Sequence, residues 1–356
     1  MKIGIVTIND DNNYGNRLQN YAVQFFLEKS NIENITIKNN DTINNREENK
    51  IQYNIKYMKR QLGKYKKMIK IKKGRQKCFW DFDKNIKYTN NFFYINKKEI
   101  RKKYDYYIVG SDQVWNPKFG RLKDIDLLSF AKPEQRIAFS ASFAIDKLPE
   151  EFKSKAKREL EKFKAISVRE YRGKEIVEEL TGRKDVQVLV DPTMLLTFEE
   201  WDKVAKKPEQ LKTDKYILNY FLGEISEKRR KEIERIAKEN NCEIINMLDK
   251  NSPFYQTGPS EFLYLEKNAF LICTDSFHSS IFAILYNRPF VVFDREDSNE
   301  KMNSRLDTLL KKFKLENRWY KDKITEEQLQ VDYKESYIIL EEERKKAKEF
   351  LENAIK

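Results

Sequence analysis

The sequence has little histidine or cysteine and lacks any long apolar run. Its 356 residues contain one histidine, His278, and three widely spaced cysteines with no CxxC pair. These counts exclude a His-rich metal site and argue against a zinc site or a disulfide framework, so we expect neither metal nor cofactor. No stretch approaches the ~20 apolar residues of a transmembrane helix, and the apolar start ends at Asn9, too early for a signal peptide. We therefore expect a cytoplasmic protein, at most peripheral on the inner face of a membrane.

Positive charge is abundant but local. The formal net charge is +13, from 70 Lys and Arg against 57 Asp and Glu. Nearly all of this excess lies in residues 51–80, which hold 11 basic residues and no acidic one. Apolar residues recur there every three or four positions and predict an amphipathic helix. This helix would either pack on its own domain or lie on an anionic membrane surface through residues 51–77. Because the bases form one block and no nucleic-acid module is recognisable, no nucleic acid partner is expected.

Short apolar runs alternate with amphipathic stretches along the chain. They predict strands over 2–8, 34–37, 106–110, 136–141, 165–168, 186–190, 216–221, 243–247, 269–273 and 289–293. They predict helices over 17–28, 149–163, 172–180, 227–239, 279–286, 303–313 and 335–353. This alternation indicates an α/β protein with largely parallel sheets. The series restarts after Asp191-Pro192, which predicts an N-terminal domain over 1–192, a C-terminal domain over 193–320 and a helical extension over 321–356 that can cross back to the first domain.

Polar loops at the ends of predicted strands are candidate sites. The first opens a helix, and a strand end that faces a helix N-terminus is where α/β folds hold anions. The glycine there permits close backbone approach, and the absence of GxGxxG argues against a dinucleotide site. The binding candidates of this loop are Tyr14, Gly15, Asn16, Arg17 and Gln19. An ordinary loop with an asparagine cap is the alternative interpretation.

The second polar loop contains Ser111, Asp112 and Trp115. Asp112 can bind a sugar hydroxyl or act as a base, and Ser111 can cap the adjoining turn. Trp115 offers an apolar platform of the kind on which sugar rings stack. The alternative is a capped turn with a tryptophan in the core.

The third polar loop holds the only histidine. His278 lies between a predicted strand and a predicted helix, near Asp275, Ser276 and Ser279. An anion bound at this helix N-terminus would favour the imidazolium, which alone can serve as a general acid. A lone histidine is usually structural, so that interpretation stays open. Arginine binds carboxylates and phosphates bidentately, and the further candidates are Arg169, Arg172 and Arg305.

With these motifs in hand, the chain resembles the polysaccharide pyruvyl transferase family. The resemblance runs to about residue 320 and rests on YGNRLQNYA (14–22), DYYIVGSDQVWN (105–116), IAFSASF (137–143), SVRE (167–170), DPT (191–193), GPSEF (258–262) and TDSFHSSIFAILYNRPFVVF (274–293). It implies two Rossmann-like domains facing a cleft, as in glycosyltransferase-B folds. It also implies transfer of pyruvate from phosphoenolpyruvate to a sugar or lipid-linked oligosaccharide of a cell-surface polysaccharide precursor, giving a pyruvate ketal.

The resemblance also suggests roles for single residues. His278 would supply a proton or hold the phosphate, and Asp112 or Asp275 would accept a hydroxyl proton. Members of the family often carry an arginine two residues before the motif histidine, where this chain has Ser276. Either Arg169, Arg172 or Arg305 replaces it, or the donor and the activity have diverged.

Two other functions fit the sequence. Because a fold does not fix its chemistry, a glycosyltransferase or sialyltransferase that uses a nucleotide sugar is the first alternative. The second is a non-catalytic basic protein that docks on nucleic acid or anionic lipid.

Overall fold

The computed structural model describes residues 1–9, 13–38, 75–89, 97–296 and 304–356. The amphipathic helix expected near 51–70, and with it most of the basic segment, lies outside the described residues. The rest forms two parallel sheets with helices packed against them, which confirms the α/β fold class.

Strands form where the sequence carries short apolar runs, because central strands of parallel sheets are buried on both faces. The first sheet has the order β2-β1-β3-β4-β5-β6, and the second has the order β10-β9-β7-β8. Their bounds are β1 Lys2–Val6, β2 Glu33–Thr36, β3 Tyr106–Val109, β4 Arg136–Ala141, β5 Ala165–Val168, β6 Gln187–Val188, β7 Tyr216–Tyr220, β8 Glu243–Asn246, β9 Leu271–Thr274 and β10 Phe290–Val292. Every predicted strand is present, with ends that differ by a few residues.

Helices connect these strands and cover both sheets. They are α1 Tyr14–Lys29, α2 Arg75–Asp83, α3 Lys97–Lys103, α4 Glu150–Leu160, α5 Tyr171–Thr181, α6 Phe198–Asp202, α7 Glu227–Glu239, α8 Pro259–Asn268, α9 Phe277–Leu285, α10 Ser304–Lys312, α11 Glu326–Leu329 and α12 Lys334–Ala354. The sequence does not predict α2, α3, α6, α8 or α11. No helix in the described ranges is long and apolar enough to cross a membrane.

One apolar cluster joins the two sheets. It includes Leu18 on α1 together with Phe262 on α8 and Phe282 on α9. The Tyr14 ring stacks on Phe262 with ring centroids 4.7 Å apart. The start of α1 therefore packs directly against the helices of the second sheet.

The last helix, α12, contacts the first sheet and the segment between the sheets. Phe350 stacks on Phe139 of β4, with centroids 6.1 Å apart. Arg344 donates to the carbonyls of Met194 (2.8 Å) and Leu196 (2.6 Å). These contacts tie the end of the chain to its first half.

Candidate active site

A fully buried carboxylate, Asp191, lies at the carboxyl edge of the first sheet, just before Pro192. Its Oδ2 accepts hydrogen bonds from Ser111 Oγ (2.6 Å) and Arg169 Nη1 (2.5 Å). Its Oδ1 accepts from the backbone N (3.0 Å) and Oγ1 (2.8 Å) of Thr193. Burial alone would raise the pKa of Asp191, but Arg169, His278 and Ser111 together outweigh burial and hold that pKa well below its ordinary value. Asp191 is therefore a fixed negative charge.

A second buried aspartate, Asp112, follows β3 with a left-handed backbone (φ 72°). Its carboxylate accepts from Arg169 Nη2 (3.0 Å), from the backbone N of Gln113 (2.9 Å) and from Asn16 Nδ2. Burial opposes ionisation, but Arg169 lowers the pKa of Asp112 below its ordinary value. Each terminal nitrogen of Arg169 thus pairs with a different aspartate, and the two carboxylates compensate the charge of the guanidinium.

Arg305 is different, because it is a buried cation without such compensation. It lies in the first turn of α10 and is 8% exposed. Its Nε has no hydrogen-bond partner, and the described residues provide it with no ion pair. Its guanidinium carbon is 5.7 Å from the centroid of the Phe277 ring, and that of Arg169 is 4.7 Å from the same centroid. Burial, reinforced by the charge of Arg169, lowers the pKa of Arg305 to about 10.

The single histidine faces this cluster from the second sheet. His278 lies in the first turn of α9, which begins directly after β9, and it is 7% exposed. Its Nε2 is 3.8 Å from Asp191 Oδ2 and lacks a hydrogen-bond partner among the described residues. A Cβ atom added at Gly15 would overlap the imidazole ring. His278 therefore lies between the start of α1 and Asp191.

These residues meet because parallel strands bring their carboxyl ends to one edge of a sheet. The loops after β3, β5 and β6 supply Asp112, Arg169 and Asp191, and α1 supplies Asn16. The second sheet contributes His278 from the first turn of α9, the helix that follows β9. Across the part of the chain that the structure describes, no group of three His, Cys, Asp or Glu side chains could hold a metal ion.

This arrangement coincides with the segments that carry the family resemblance. A family model for polysaccharide pyruvyl transferases matches residues 13–298. The chain belongs to the polysaccharide pyruvyl transferase family. It is accordingly a transferase of polysaccharide biosynthesis that moves pyruvyl groups, and Asp112, Arg169, Asp191 and His278 all lie within the matched region.

Solved structures resemble this family member over nearly its whole length. A UDP-GlcNAc 2-epimerase from Methanocaldococcus jannaschii is 17% identical, with 97% of this chain and 94% of that chain covered and a TM-score of 0.48. The Neisseria meningitidis enzyme is 13% identical, with 99% and 100% covered and a TM-score of 0.48. A protein assigned as this epimerase from Listeria monocytogenes is 10% identical, with 98% and 90% covered and a TM-score of 0.51. The likeness to the Listeria monocytogenes protein shows the fold alone, which is glycosyltransferase-B-like. Among curated proteins, none matches the chain.

Several residues that the sequence predicts to bind substrate instead make contacts with neighbouring residues that support the surrounding structure. Gln19 donates to Thr7 Oγ1 (2.8 Å) and accepts from the backbone N of Ser111 (2.9 Å). The Tyr14 hydroxyl accepts from Arg75 Nη1 (2.5 Å), and Arg17 Nε is 2.6 Å from Asp83 Oδ1. These contacts hold α1 and the loop after β3 in place.

Three predicted binding residues lie elsewhere. Trp115 is fully buried beside Phe143 and donates from Nε1 to the carbonyl of Asp126 (2.9 Å), so its ring offers no platform to a sugar. Arg172 is paired with Glu175 and Glu179 on α5, because charges three and seven residues along a helix share one side. Ser279 points into the interior and bonds to Glu266 (2.6 Å). We correct these three expectations accordingly.

Asp275 and Ser276 are near His278 in sequence but differ in their contacts. Asp275 accepts from the backbone N of Leu222 (2.7 Å) and Gly223 (2.8 Å) and is 3.1 Å from Arg295 Nε. With both oxygens engaged, Asp275 fixes the loop after β7 rather than facing a hydroxyl. Ser276 precedes α9, and its backbone N donates to Thr274 Oγ1 (3.0 Å).

Sequence reasoning did not select Asp191 or Phe277 as site residues. Asp191 was visible as the aspartate of an Asp-Pro-Thr segment at a predicted strand end, the kind of position where the other site residues lie. Nothing in the sequence marks Phe277 as a site residue, because an aromatic residue beside the start of a helix ordinarily belongs to the hydrophobic core.

Proposed function

We propose that the chain transfers pyruvate from phosphoenolpyruvate to two hydroxyls of a sugar in a cell-surface polysaccharide precursor, forming a pyruvate ketal. The observation that carries the proposal is Arg305, a buried cation for which the described residues provide no ion pair and which shares the Phe277 ring with Arg169. Nε2 of His278 likewise has no hydrogen-bond partner among those residues. A buried charge costs free energy unless something pairs with it, so this position favours an anionic ligand. Phosphoenolpyruvate carries both a carboxylate and a phosphate.

Arg305 is the best donor anchor among the three arginines considered. Arg172 is engaged by two glutamates on α5, and Arg169 already satisfies two buried aspartates. Arg305 retains its hydrogen-bonding capacity, and a guanidinium can bind a carboxylate or phosphate bidentately. It can thus serve in place of the arginine that relatives often carry where this chain has Ser276.

His278 is the residue best placed to move protons. In the proposed sequence its Nε2 gives a proton to the methylene carbon of phosphoenolpyruvate, and the first sugar hydroxyl forms a C–O bond to C2. The imidazole then takes the proton of that hydroxyl. The second hydroxyl attacks C2 as the C–O bond to phosphate breaks, and its proton leaves with the phosphate. General acid–base catalysis of this kind is typically worth ~100-fold or more in rate.

Asp112 is suited to hold the acceptor rather than to remove its proton. Its lowered pKa makes it a weak base, and Arg169 keeps it ionised. A carboxylate in this state accepts hydrogen bonds from hydroxyl groups, and Asn16 beside it adds amide donors and an acceptor. We extend the proposal to a sugar or lipid-linked oligosaccharide acceptor, met at the inner face of a membrane through residues 51–77.

The test is turnover of phosphoenolpyruvate with candidate glycans, followed by phosphate release and by the mass gain of a pyruvate ketal on the glycan. We expect His278→Ala to lower kcat at least ~100-fold, because it removes the proton donor. The control is Asn34→Ala, which alters a buried polar residue that bonds to the carbonyls of Ile32 and Gln24, and it should retain turnover.

Full activity of His278→Ala would contradict the proton-transfer role of His278 while leaving the proposed reaction in place. Thermal stabilisation of the wild-type chain by nucleotide sugars but not by phosphoenolpyruvate would contradict the proposed function and favour a glycosyltransferase on this fold.

A further inference from the structure

We propose that Asp191 is a positioning residue that holds the imidazole ring of His278 in the cleft between the two sheets. The expected effect on kcat rests on the proposed function. The position and the chemical reactivity of His278 do not, because both can be measured without turnover. Asp191 belongs to the first sheet and His278 to the helix that follows β9, so their approach spans the cleft.

Asp191 is held too firmly to be a mobile base. Thr193 fixes Oδ1 through two hydrogen bonds, while Ser111 and Arg169 fix Oδ2. The carboxylate is fully buried, and no solvent competes for it. A carboxylate fixed in this way can set the direction of a neighbouring charge.

The distance between Asp191 and His278 fits orientation through charge. Nε2 lies 3.8 Å from Oδ2, beyond hydrogen-bond reach but within the range where opposite charges interact strongly. Nε2 stays unpartnered by any described residue and is thus available to a reacting atom. The same Oδ2 holds Arg169, so one oxygen sets the relative positions of an arginine and the histidine.

The opposite side of the ring is closed by α1. A Cβ atom at Gly15 would overlap Nδ1, Cε1 and Cγ of His278, so the imidazole rests against the glycine backbone. Steric contact on one side and a fixed anion on the other leave the ring little freedom.

Other charges in this cluster differ in sign. Asp112 after β3 is negative, and His278 contributes to its lowered pKa. Arg169 after β5 and Arg305 on α10 are positive, and Glu170 has its carboxylate bound to the backbone N of Phe143 (2.9 Å). Asp191 approaches the ring most directly, with its Oδ2 3.8 Å from Nε2 of His278.

The first measurement is the rate at which diethyl pyrocarbonate acylates His278 in the full chain, followed by mass spectrometry of the peptide that contains this residue. His278 is the only histidine, so its adduct is separated in this way from adducts on lysine, tyrosine and cysteine. We expect His278 to be acylated about tenfold faster in Asp191→Asn, because a ring that the fixed carboxylate no longer holds beside α1 is more accessible to the reagent. The matched control is Asp126→Asn, a fully buried aspartate paired with Arg121 beneath Trp115, which should leave the rate unchanged.

The second measurement separates kcat from KM for phosphoenolpyruvate. Asp191→Asn should lower kcat at least about tenfold and leave KM no higher, because it frees Arg169 for anions. A purely structural role would not separate kcat from KM in this way.

Unchanged acylation in folded Asp191→Asn would overturn the positioning role. If Asp191→Asn does not fold, Asp191→Glu replaces it, because this variant displaces the carboxylate and keeps its charge. Acylation of His278 at the wild-type rate in Asp191→Glu would also overturn the positioning role. If the chain fails to use phosphoenolpyruvate while Asp191→Asn is acylated faster, the proposed donor is wrong and the positioning role stands.

Discussion

Residues of one amino-acid type differ in their capacity to bind a ligand in this protein, because they form different ion pairs. Arg169, Arg172 and Arg305 look alike in the sequence, yet Arg169 satisfies two buried aspartates and Arg172 two exposed glutamates. Arg305 has neither kind of partner among the described residues, and burial lowers its pKa to about 10. The capacity to bind an anion therefore depends on pairing, not on residue type.

Glu266 offers a prediction at the same scale. Burial raises the pKa of Glu266 well above its ordinary value of 4.5, although the Ser279 hydroxyl opposes this. The folded chain thus keeps Glu266 protonated while the unfolded chain ionises it, and stability falls as pH rises above about 4.5. Glu266→Gln removes this loss, at up to about 1.4 kcal/mol per pH unit.

Thermal unfolding across pH tests this expectation. Glu266→Gln should raise the Tm at pH values near neutrality, with the gain vanishing in acid. Exposed Glu234→Gln on α7 should show no such pH-dependent gain. A Glu266→Gln gain that is the same in acid and at neutral pH would mean that Glu266 ionises normally in the fold.

Residue types at strand ends were sufficient to select much of the cluster around Asp191. Asn16, Asp112, Arg169, His278 and Arg305 were all chosen from the sequence, and the structure places them in or beside one cluster. Trp115 and Ser279 were chosen by the same logic and are buried in the interior. The direction of a side chain near a loop depends on the packing behind it, which periodicity does not report.

At the scale of elements, α1 starts earlier than its apolar pattern indicates. The sequence predicts a helix from residue 17, but it begins at Tyr14 because Asn13 accepts from the backbone N of Asn16 (3.2 Å). Helix α8 was missed altogether. It begins at Pro259, because proline suits the first turn of a helix, and Glu261 accepts from the backbone N of Gly258 (3.0 Å).

The early start of α1 places Gly15 inside a helix and against His278, which yields a prediction. Alanine favours a helix over glycine by about 1 kcal/mol, so Gly15→Ala should support α1. The new methyl group would nevertheless overlap the imidazole, and His278 would have to move. We expect kcat to fall at least ~100-fold, since small misplacements at a reacting centre have effects of that size.

Steady-state kinetics and thermal unfolding of the same variant separate the two effects. The comparison is Gly173→Ala on α5, whose new Cβ would lie a tight but tolerable 3.2 Å from Glu170 Oε1. This control should retain most turnover. A wild-type kcat in Gly15→Ala would show that catalysis does not depend on the position of the His278 ring beside α1.

At the scale of the whole molecule, the net charge of +13 says little about the site. The excess lies mainly in the 51–80 segment, whereas the cleft combines two buried aspartates with two buried arginines and one histidine. These residues come from segments far apart in the chain. The α/β fold class follows from apolar patterning, but the order of the strands and the meeting of distant loops across a cleft depend on how the elements pack against one another.

The central claim is that the cleft binds phosphoenolpyruvate through Arg305, and calorimetric titration of this compound into the full chain tests it most directly. The wild-type chain should bind it at one site, and Arg305→Gln should weaken binding about 10- to 100-fold, the effect of losing charge-assisted hydrogen bonds. The Tm of Arg305→Gln should not fall, because a buried uncompensated charge is removed. Arg183→Gln, which alters an arginine paired with Asp185, should bind as the wild type does. No binding by the wild-type chain, or equal binding by Arg305→Gln, would contradict the account.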